Sequence, residues 1–218
     1  MAVSILEDMR NRAKKEDSLL DYLAVKLAPV LTGLKPASLL ALCRFYGAGE
    51  KSFYDLWTEK KEDIAGVLGV SFRELKETLQ GRQVLFYCPE RLCEVVAQPE
   101  NDNFLAKFGY SSCRSLEEYL ELLKARFNGR PFPHEIGVFL GYPLKDVKGF
   151  IYKGSMPVTA KGRWQVFGEA SGSLRLMRMH EKAEMIFMNL IRNGRDPMIF
   201  QERISLHFRR FFRGIAAT

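Results

Sequence analysis

Three side chains near the middle of the chain have the chemistry of general acid–base catalysis. His134 and Glu135 are adjacent, and Tyr142 follows them. An imidazole titrates near neutral pH and a neighbouring carboxylate can orient it, so this pair could transfer a proton, with Tyr142 as a proton donor. Neighbouring residues of a helix point about 100° apart, so the pair need not converge on one substrate. One hypothesis is an enzyme that uses His134 and Glu135, with a redox-linked reaction as one form of it. The other is a pair that only hydrogen-bonds a helix start.

Familiar catalytic and metal-binding motifs are absent from the sequence. The residue four positions after His134 is Val138, which excludes the HExxH motif of zinc proteases. No G-x-S-x-G, phosphate-binding loop or G-x-G-x-x-G motif is present. Cys88 and Cys93 have C-x4-C spacing, unlike the C-x2-C pairs of structural zinc sites. We therefore predict reduced cysteines and no metal site, and the sequence identifies no cofactor.

The segment around His134 is stiff and rich in aromatic residues, which favours a binding site. Prolines rigidify its start, and glycines punctuate the rest. Packing alone does not require this combination of prolines, glycines and aromatic residues. We therefore expect the segment to bind a small ligand, a cofactor or a protein partner. The predicted ligand-binding residues are Phe132, Pro133, Phe139, Asp146, Phe150 and Trp164.

The same segment reads FPHEIGVFLGYPLKDVKGFI and is followed by GRWQVFG. This pattern resembles the signature of a family of bacterial proteins of unknown function that are common in anaerobic, gut-associated species. The resemblance covers roughly residues 20–170, and the chain departs from the family pattern after Gly168. The resemblance implies no particular activity. It indicates where a functional site would lie, but not which reaction or ligand belongs to it.

Two similar segments, 72 residues apart, predict a repeated helix-turn-helix hairpin. DIAGVLGVSFRELKETL begins at Asp63, and EIGVFLGYPLKDVKGFI begins at Glu135. In each copy a tiny residue allows close helix approach, and a glycine occupies the turn. In the first copy Ser71 and Glu74 predict a capping box for a second helix.

The positive charge of the chain is concentrated at its C-terminal end. The net charge is +7, and residues 175–218 contribute +5 of it through nine basic and four acidic side chains. An arginine-rich tail beside two helix-turn-helix units is compatible with nucleic-acid binding, although a solvated basic face is the simpler interpretation. The residues that would contact nucleic acid are Arg73, Lys76, Lys145, Lys148, Arg209, Arg210 and Arg213.

The hydrophobic pattern predicts a helix-rich α+β fold (broadly α/β) with a small sheet. About three short strands are expected, among them QVLFYC at 83–88 and GRWQVF at 162–167, packed by several helices. Capping pairs Ser4–Glu7 and Ser115–Glu118 predict two helix starts. A long helix is expected from Ser173 to Asn193, with His180 on it at the surface or hydrogen-bonded, and a basic amphipathic segment from Met198 to Phe212.

The 218 residues are interpreted as a single domain, 1–218, in which 1–170 form a family-like core and 171–218 the long helix and basic tail. No apolar run reaches the roughly 20 residues of a membrane-spanning helix, and charge appears early at the N-terminus, so we expect a cytoplasmic protein. A homo-oligomer could form through the C-terminal helix.

We expect the C-terminal segment to pack rather than to bind nucleic acid. Its apolar residues are Ile204, Leu206, Phe208, Phe211 and Phe212. Deleting residues 199–218 should therefore lower thermal stability or dissociate a dimer, and leave nucleic-acid affinity unchanged. If the arginines contact phosphates instead, replacing Arg209, Arg210 and Arg213 flattens the salt dependence by up to about three units, one for each lost contact. Filter-binding titrations at two salt concentrations distinguish these outcomes.

Overall fold

A three-stranded antiparallel sheet lies between two layers of helices. The computed structural model describes residues 16–44, 51–129, 131–152 and 157–199. The strands are β1 (Ala37–Cys43), β2 (Ser71–Thr78) and β3 (Gly81–Tyr87), in the order β1–β3–β2. A second sheet is the hairpin of β4 (Val158–Lys161) and β5 (Gln165–Phe167).

The helices are distributed around these strands along the whole described chain. A short 3-10 turn, Tyr110–Ser112, lies between the fourth and fifth of them. They are α1 (Glu16–Leu31), α2 (Phe53–Leu68), α3 (Pro89–Val96), α4 (Pro99–Ala106), α5 (Leu116–Asn128), α6 (Ile136–Phe139), α7 (Leu144–Ile151) and α8 (Ser171–Arg192). The expected helix-rich α+β class is confirmed, and the expected small sheet is present together with the β4–β5 hairpin.

Strand β3 is apolar on both faces because each face covers a separate hydrophobic core. Side chains of a strand alternate between faces. Val84 and Phe86 belong to the core formed with α1, α2 and α8. Leu85 and Tyr87 belong to the core formed with α3 to α7. The sheet is therefore a shared wall, and β3 is its central strand.

The first of the two repeated segments is not a helix-turn-helix. Helix α2 ends with Gly69 in the left-handed conformation at φ 62°, as a turn glycine should, but the following residues form β2. Pairing with β3 prevails over the local helical pattern because it places Phe72 edge-on to Trp57, with ring centroids 4.9 Å apart. The Glu74 carboxylate accepts hydrogen bonds from Trp57 Nε1 and Arg82 Nη1, so Ser71 and Glu74 do not form the predicted capping box.

The second repeated segment does form a helix-turn-helix, from α6 to α7. Gly141 lies in the turn with φ 71°. A Cβ on Gly137 would lie 2.8 Å from Val147 Cγ2, so only glycine allows the two helices to approach this closely. Gly149 plays the same part toward the hairpin, since a Cβ there would lie 2.7 Å from Cβ of Phe167.

Several other predicted elements can be compared with the structure. Ser115 caps α5, its side chain accepting from Glu118 N, and the predicted long helix corresponds to α8. Strand β4 was not predicted. The N-terminal capping box at Ser4 lies outside the described residues, as does the predicted basic segment from residue 200 to its end at Phe212.

Replacing Gly149 by alanine tests the close packing of α7 on the hairpin. We expect a loss of about 1 to 3 kcal/mol in the free energy of unfolding, because the methyl group overlaps the Phe167 ring. Gly66 in α2 is the matched control, since a Cβ there meets nothing within 4 Å, and alanine should raise stability by about 0.5 to 1 kcal/mol. Urea denaturation measures both variants, and equal stability of the two would contradict this packing.

Candidate functional site

The carboxylate of Asp146, on α7, is buried and receives four hydrogen bonds. Its Oδ1 accepts from Lys145 Nζ at 2.8 Å and from the Phe167 backbone N–H at 2.9 Å. Its Oδ2 accepts from Trp164 Nε1 at 2.9 Å and from Ser173 Oγ at 2.6 Å. One carboxylate therefore joins α7 to the β4–β5 hairpin and to the first turn of α8.

Ionisation of Asp146 is maintained by these donors. Burial alone would raise the pKa of this carboxyl, but the bonds from Lys145, Phe167 N–H, Ser173 and Trp164 outweigh it, and the pKa lies below its ordinary value. The buried charge is thus compensated from three elements of the fold, and removing it leaves donors without acceptors.

The hydrogen bond to Asp146 fixes the indole of Trp164, which stacks on the ring of Tyr142. The ring centroids are 4.4 Å apart and the planes are inclined by 21°. Burial raises the pKa of the Tyr142 hydroxyl, although the nearby Arg163 opposes this. Tyr142 is therefore protonated at neutral pH and presents an aromatic face with a neutral hydroxyl.

A cleft of about 480 Å³ opens beside this stack, between the α6–α7 unit and the β4–β5 hairpin. Its wall is largely apolar, and the hairpin contributes the polar side chains of Lys161, Arg163 and Gln165. Its lining residues are His134, Ile136, Gly137, Leu140, Tyr142, Asp146, Val147, Phe150, Lys161, Gly162, Arg163, Trp164 and Gln165. A volume of this size suits a small organic molecule.

The structure places some of the predicted site residues in this cleft and others away from it. His134, Tyr142, Asp146, Phe150 and Trp164 line it. The remaining predicted ligand-binding residues do not: Phe132 is exposed, whereas Pro133 and Phe139 are buried. Phe139 packs in the core with Tyr110 and Tyr119.

His134 and Glu135 do not form a hydrogen-bonded pair. His134 is exposed, and its ring packs against Phe150 and Phe132 at centroid distances of 5.0 and 5.4 Å. The Glu135 carboxylate is buried, forms an ion pair with Arg126 Nε, and accepts from the Tyr110 hydroxyl at 3.5 Å. Glu135 thus joins α5 to the start of α6 and does not orient the imidazole.

The basic residues considered for nucleic-acid contact are dispersed or already engaged. Arg73 on β2 forms ion pairs with Glu117 and Glu121 of α5. Lys145 is bonded to Asp146, and Lys148 lies 5.8 Å from the centre of the Phe104 ring. Lys76 is half-buried on β2, and Arg209, Arg210 and Arg213 lie outside the described residues.

A family model covers most of the chain and not the cleft alone. The model of a family described as protein of unknown function (DUF3793) matches residues 23–199. The chain belongs to this family. No curated protein and no solved structure matches it. The DUF3793 match contains the complete cleft and the Asp146 hydrogen bonds.

Two further properties concern the described residues only. No group of three or more His, Cys, Asp and Glu side chains in them is arranged to hold a metal ion. None of the helices in that part of the chain has the length and apolar character that crossing a membrane requires.

Sequence reasoning missed the contribution of the hairpin turn and the environment of His180. The cleft is also lined by Lys161, Arg163 and Gln165. The GRWQVFG motif, which contains two of these residues, could have indicated that the hairpin contributes to the site. His180 is neither at the surface nor fully hydrogen-bonded: the residue is 1% exposed, and its Nε2 has no partner among the described residues. Its burial arises because α8 packs along α1, which periodicity alone does not reveal.

Asp146→Asn should destabilise the protein by about 3 kcal/mol at pH 7, because a buried, multiply bonded charge is lost while its donors remain. Since the folded pKa is depressed, the carboxylate stabilises the fold above its ordinary pKa, and this contribution disappears as pH falls through the folded pKa. The difference in the free energy of unfolding between wild type and variant should therefore become smaller in acid. Urea denaturation across pH measures it, with the exposed Asp63→Asn as control; equal stability of D146N and D63N at pH 7 would contradict the assignment.

Proposed function

We propose that the cleft binds a small organic ligand with a flat, largely apolar body. The observation that carries the proposal is the Tyr142–Trp164 stack, which is fixed by the Asp146 hydrogen bonds and borders an opening of about 480 Å³. A wall that is already ordered loses little entropy when a ligand binds. Aromatic rings in such a wall favour stacking with planar molecules.

Polar groups around the cleft would orient the ligand. His134 is exposed beside Phe150, and Lys161 and Gln165 come from the hairpin on the opposite side. Arg163 also faces the cleft, but its guanidinium is engaged with Glu184 at 2.7 and 2.9 Å. A few polar groups around an apolar wall are typical of small-molecule sites.

An enzyme that uses His134 with Glu135 and Tyr142 stays a prediction and is not favoured by this geometry. Glu135 is engaged with Arg126, so a proton transfer at the cleft would depend on His134 without a carboxylate partner. Nucleic-acid binding is not favoured either, since the first helix-turn-helix is absent and Arg73 and Lys145 are engaged.

We further propose that the chain forms one domain and acts in the cytoplasm. Both hydrophobic cores use strand β3, which supports a single folding unit. All four cysteines are free thiols, which suits a reducing compartment.

A thermal-stability screen tests the proposed ligand site. Flavins, tetrapyrroles, nucleotides and divalent metals are added separately to the full chain. We expect a planar organic class to raise the melting temperature, because a ligand at about 100 times its Kd adds about 2.7 kcal/mol to stability. No shift with any organic class would contradict the proposal.

Paired phenylalanine variants then locate the site. Phe150→Ala removes part of the cleft wall and should abolish most of the ligand-induced shift. Phe132→Ala is the control, because Phe132 lies in the same segment and outside the cleft, packing on Phe127 at 5.0 Å. Each shift is measured relative to the melting temperature of the same variant without ligand. An equal loss in both variants would place the ligand elsewhere.

A further inference from the structure

A second cavity, of about 390 Å³, lies next to the cleft and shares part of its wall. Leu140, Tyr142, Trp164 and Arg163 line both. The rest of the second cavity is formed by α1, β1 and α8, and by Lys35 just before β1. It is a distinct space with a different chemical character, because three of the four charged side chains that line it are cationic.

Positive charge in this cavity exceeds negative charge. Lys26, Lys35 and Arg163 line it, against the single carboxylate of Glu184. Glu184 is already bound to the Arg163 guanidinium, at 2.7 and 2.9 Å. Within the described part of the chain, neither lysine forms an ion pair. Two lysine ammonium groups therefore face the cavity without a paired anion.

Burial makes this arrangement unfavourable for the lysines. Burial and the charge of Arg163 together lower the pKa of Lys35 to about 8, and Glu184 opposes this shift only in part. Burial likewise lowers the pKa of Lys26. The Tyr142 ring, whose centre lies 5.5 Å from Lys35 Nζ, is not an anionic partner for this charge. A charge removed from water without a paired anion is costly, and a bound anion would offset that cost.

His180 adds an unused hydrogen-bonding group to the same wall. It is 1% exposed, it lines the cavity, and its Nε2 has no partner among the described residues. Burial and the charges of Lys35 and Arg163 lower its pKa to about 3, against a hydrogen bond to the backbone of Leu34 that raises it, so the ring is neutral at pH 7. Buried polar atoms are rarely left unpaired, and such an atom beside a cavity points to a ligand.

We propose that this cavity is a subsite for an oxyanionic group, a phosphate or a carboxylate, held by Lys35 and by Nε2 of His180. Lys35 Nζ supplies charge and donors, and Arg163 adds to the field while remaining bound to Glu184. An anion beside the His180 ring raises its pKa, so binding is coupled to the uptake of one proton from solvent, and the Nε2–H formed in this way donates to the anion. The buried Ser38, which also lines the cavity, offers a hydroxyl.

The dimensions indicate what carries the group. A cavity of about 390 Å³ is much larger than a phosphate ion, so the group belongs to an organic molecule. The inference concerns a cavity separate from the proposed ligand cleft. Its test uses inorganic and minimal ions, so it does not depend on finding the ligand of the cleft.

Calorimetric titration of the full chain with inorganic phosphate, sulfate and acetate tests the subsite. We expect at least one of these ions to bind with a Kd of about 1 mM, as a single small group with one or two charged contacts would. The ion that binds most tightly distinguishes a phosphate from a carboxylate. Absence of binding by all three would overturn the proposal.

Matched variants assign the binding to this cavity. Lys35→Gln should weaken binding by about tenfold or more, whereas Lys182→Gln, an equal charge change at an exposed position of α8, should not alter it. Lys35→Gln should not lower the melting temperature without ions, because it removes a desolvated charge. Equal affinities of K35Q and K182Q would overturn the assignment.

A measurement on the wild-type protein guards against variants that do not fold. The ¹⁵N resonance of His180 Nε2 should shift on titration with the ion that binds. An unchanged resonance at saturation would exclude His180 from the subsite and overturn the proposal. Phe150→Ala should leave this titration unchanged, so failure of the cleft and failure of the subsite can be told apart.

Discussion

The ionised carboxylate of Asp146 is the constraint on which the rest of the cleft depends. A short hairpin of four-residue and three-residue strands has too few backbone bonds to hold its position alone. The bonds from Trp164 and the Phe167 backbone attach it to α7, and the bond from Ser173 adds the start of α8. The absence of a side chain at Gly149 lets α7 approach Phe167 of the hairpin closely. Electrostatic pairing and close packing therefore act on one interface.

The sheet determines where this interface lies. Because β3 is apolar on both faces, helices cover both sides of the sheet, and the chain crosses from one layer to the other along its length. The long helix α8 returns to α1 after the hairpin, which brings His180 and Glu184 to the same region as Lys35 and Arg163. The second cavity is thus formed by residues that are distant in sequence and are brought together by this return, whereas the cleft is lined by residues 134–165 alone.

Much of the fold was predictable from local signals, and much of the site was not. The apolar run before Cys88 indicated β3, and the Ser115 cap indicated α5, because both signals are local. The segment from Ser71 was misassigned, since its pairing with β3 is a tertiary contact that the helical pattern concealed. Among the predicted site residues, Trp164 lies in the cleft, whereas Glu135 pairs with Arg126 because its carboxylate is buried against α5. Burial and partner choice depend on packing, which spacing does not encode.

The Tyr142–Trp164 stack borders both cavities, so a ligand in either cavity would contact the same two rings. Any occupant that shifts the pair on one side alters the wall on the other. Thermodynamic linkage requires this influence to be mutual: whatever factor one occupant applies to the affinity of the second, the second applies to the first. Two aromatic rings that line both cavities would therefore couple the two proposed binding equilibria.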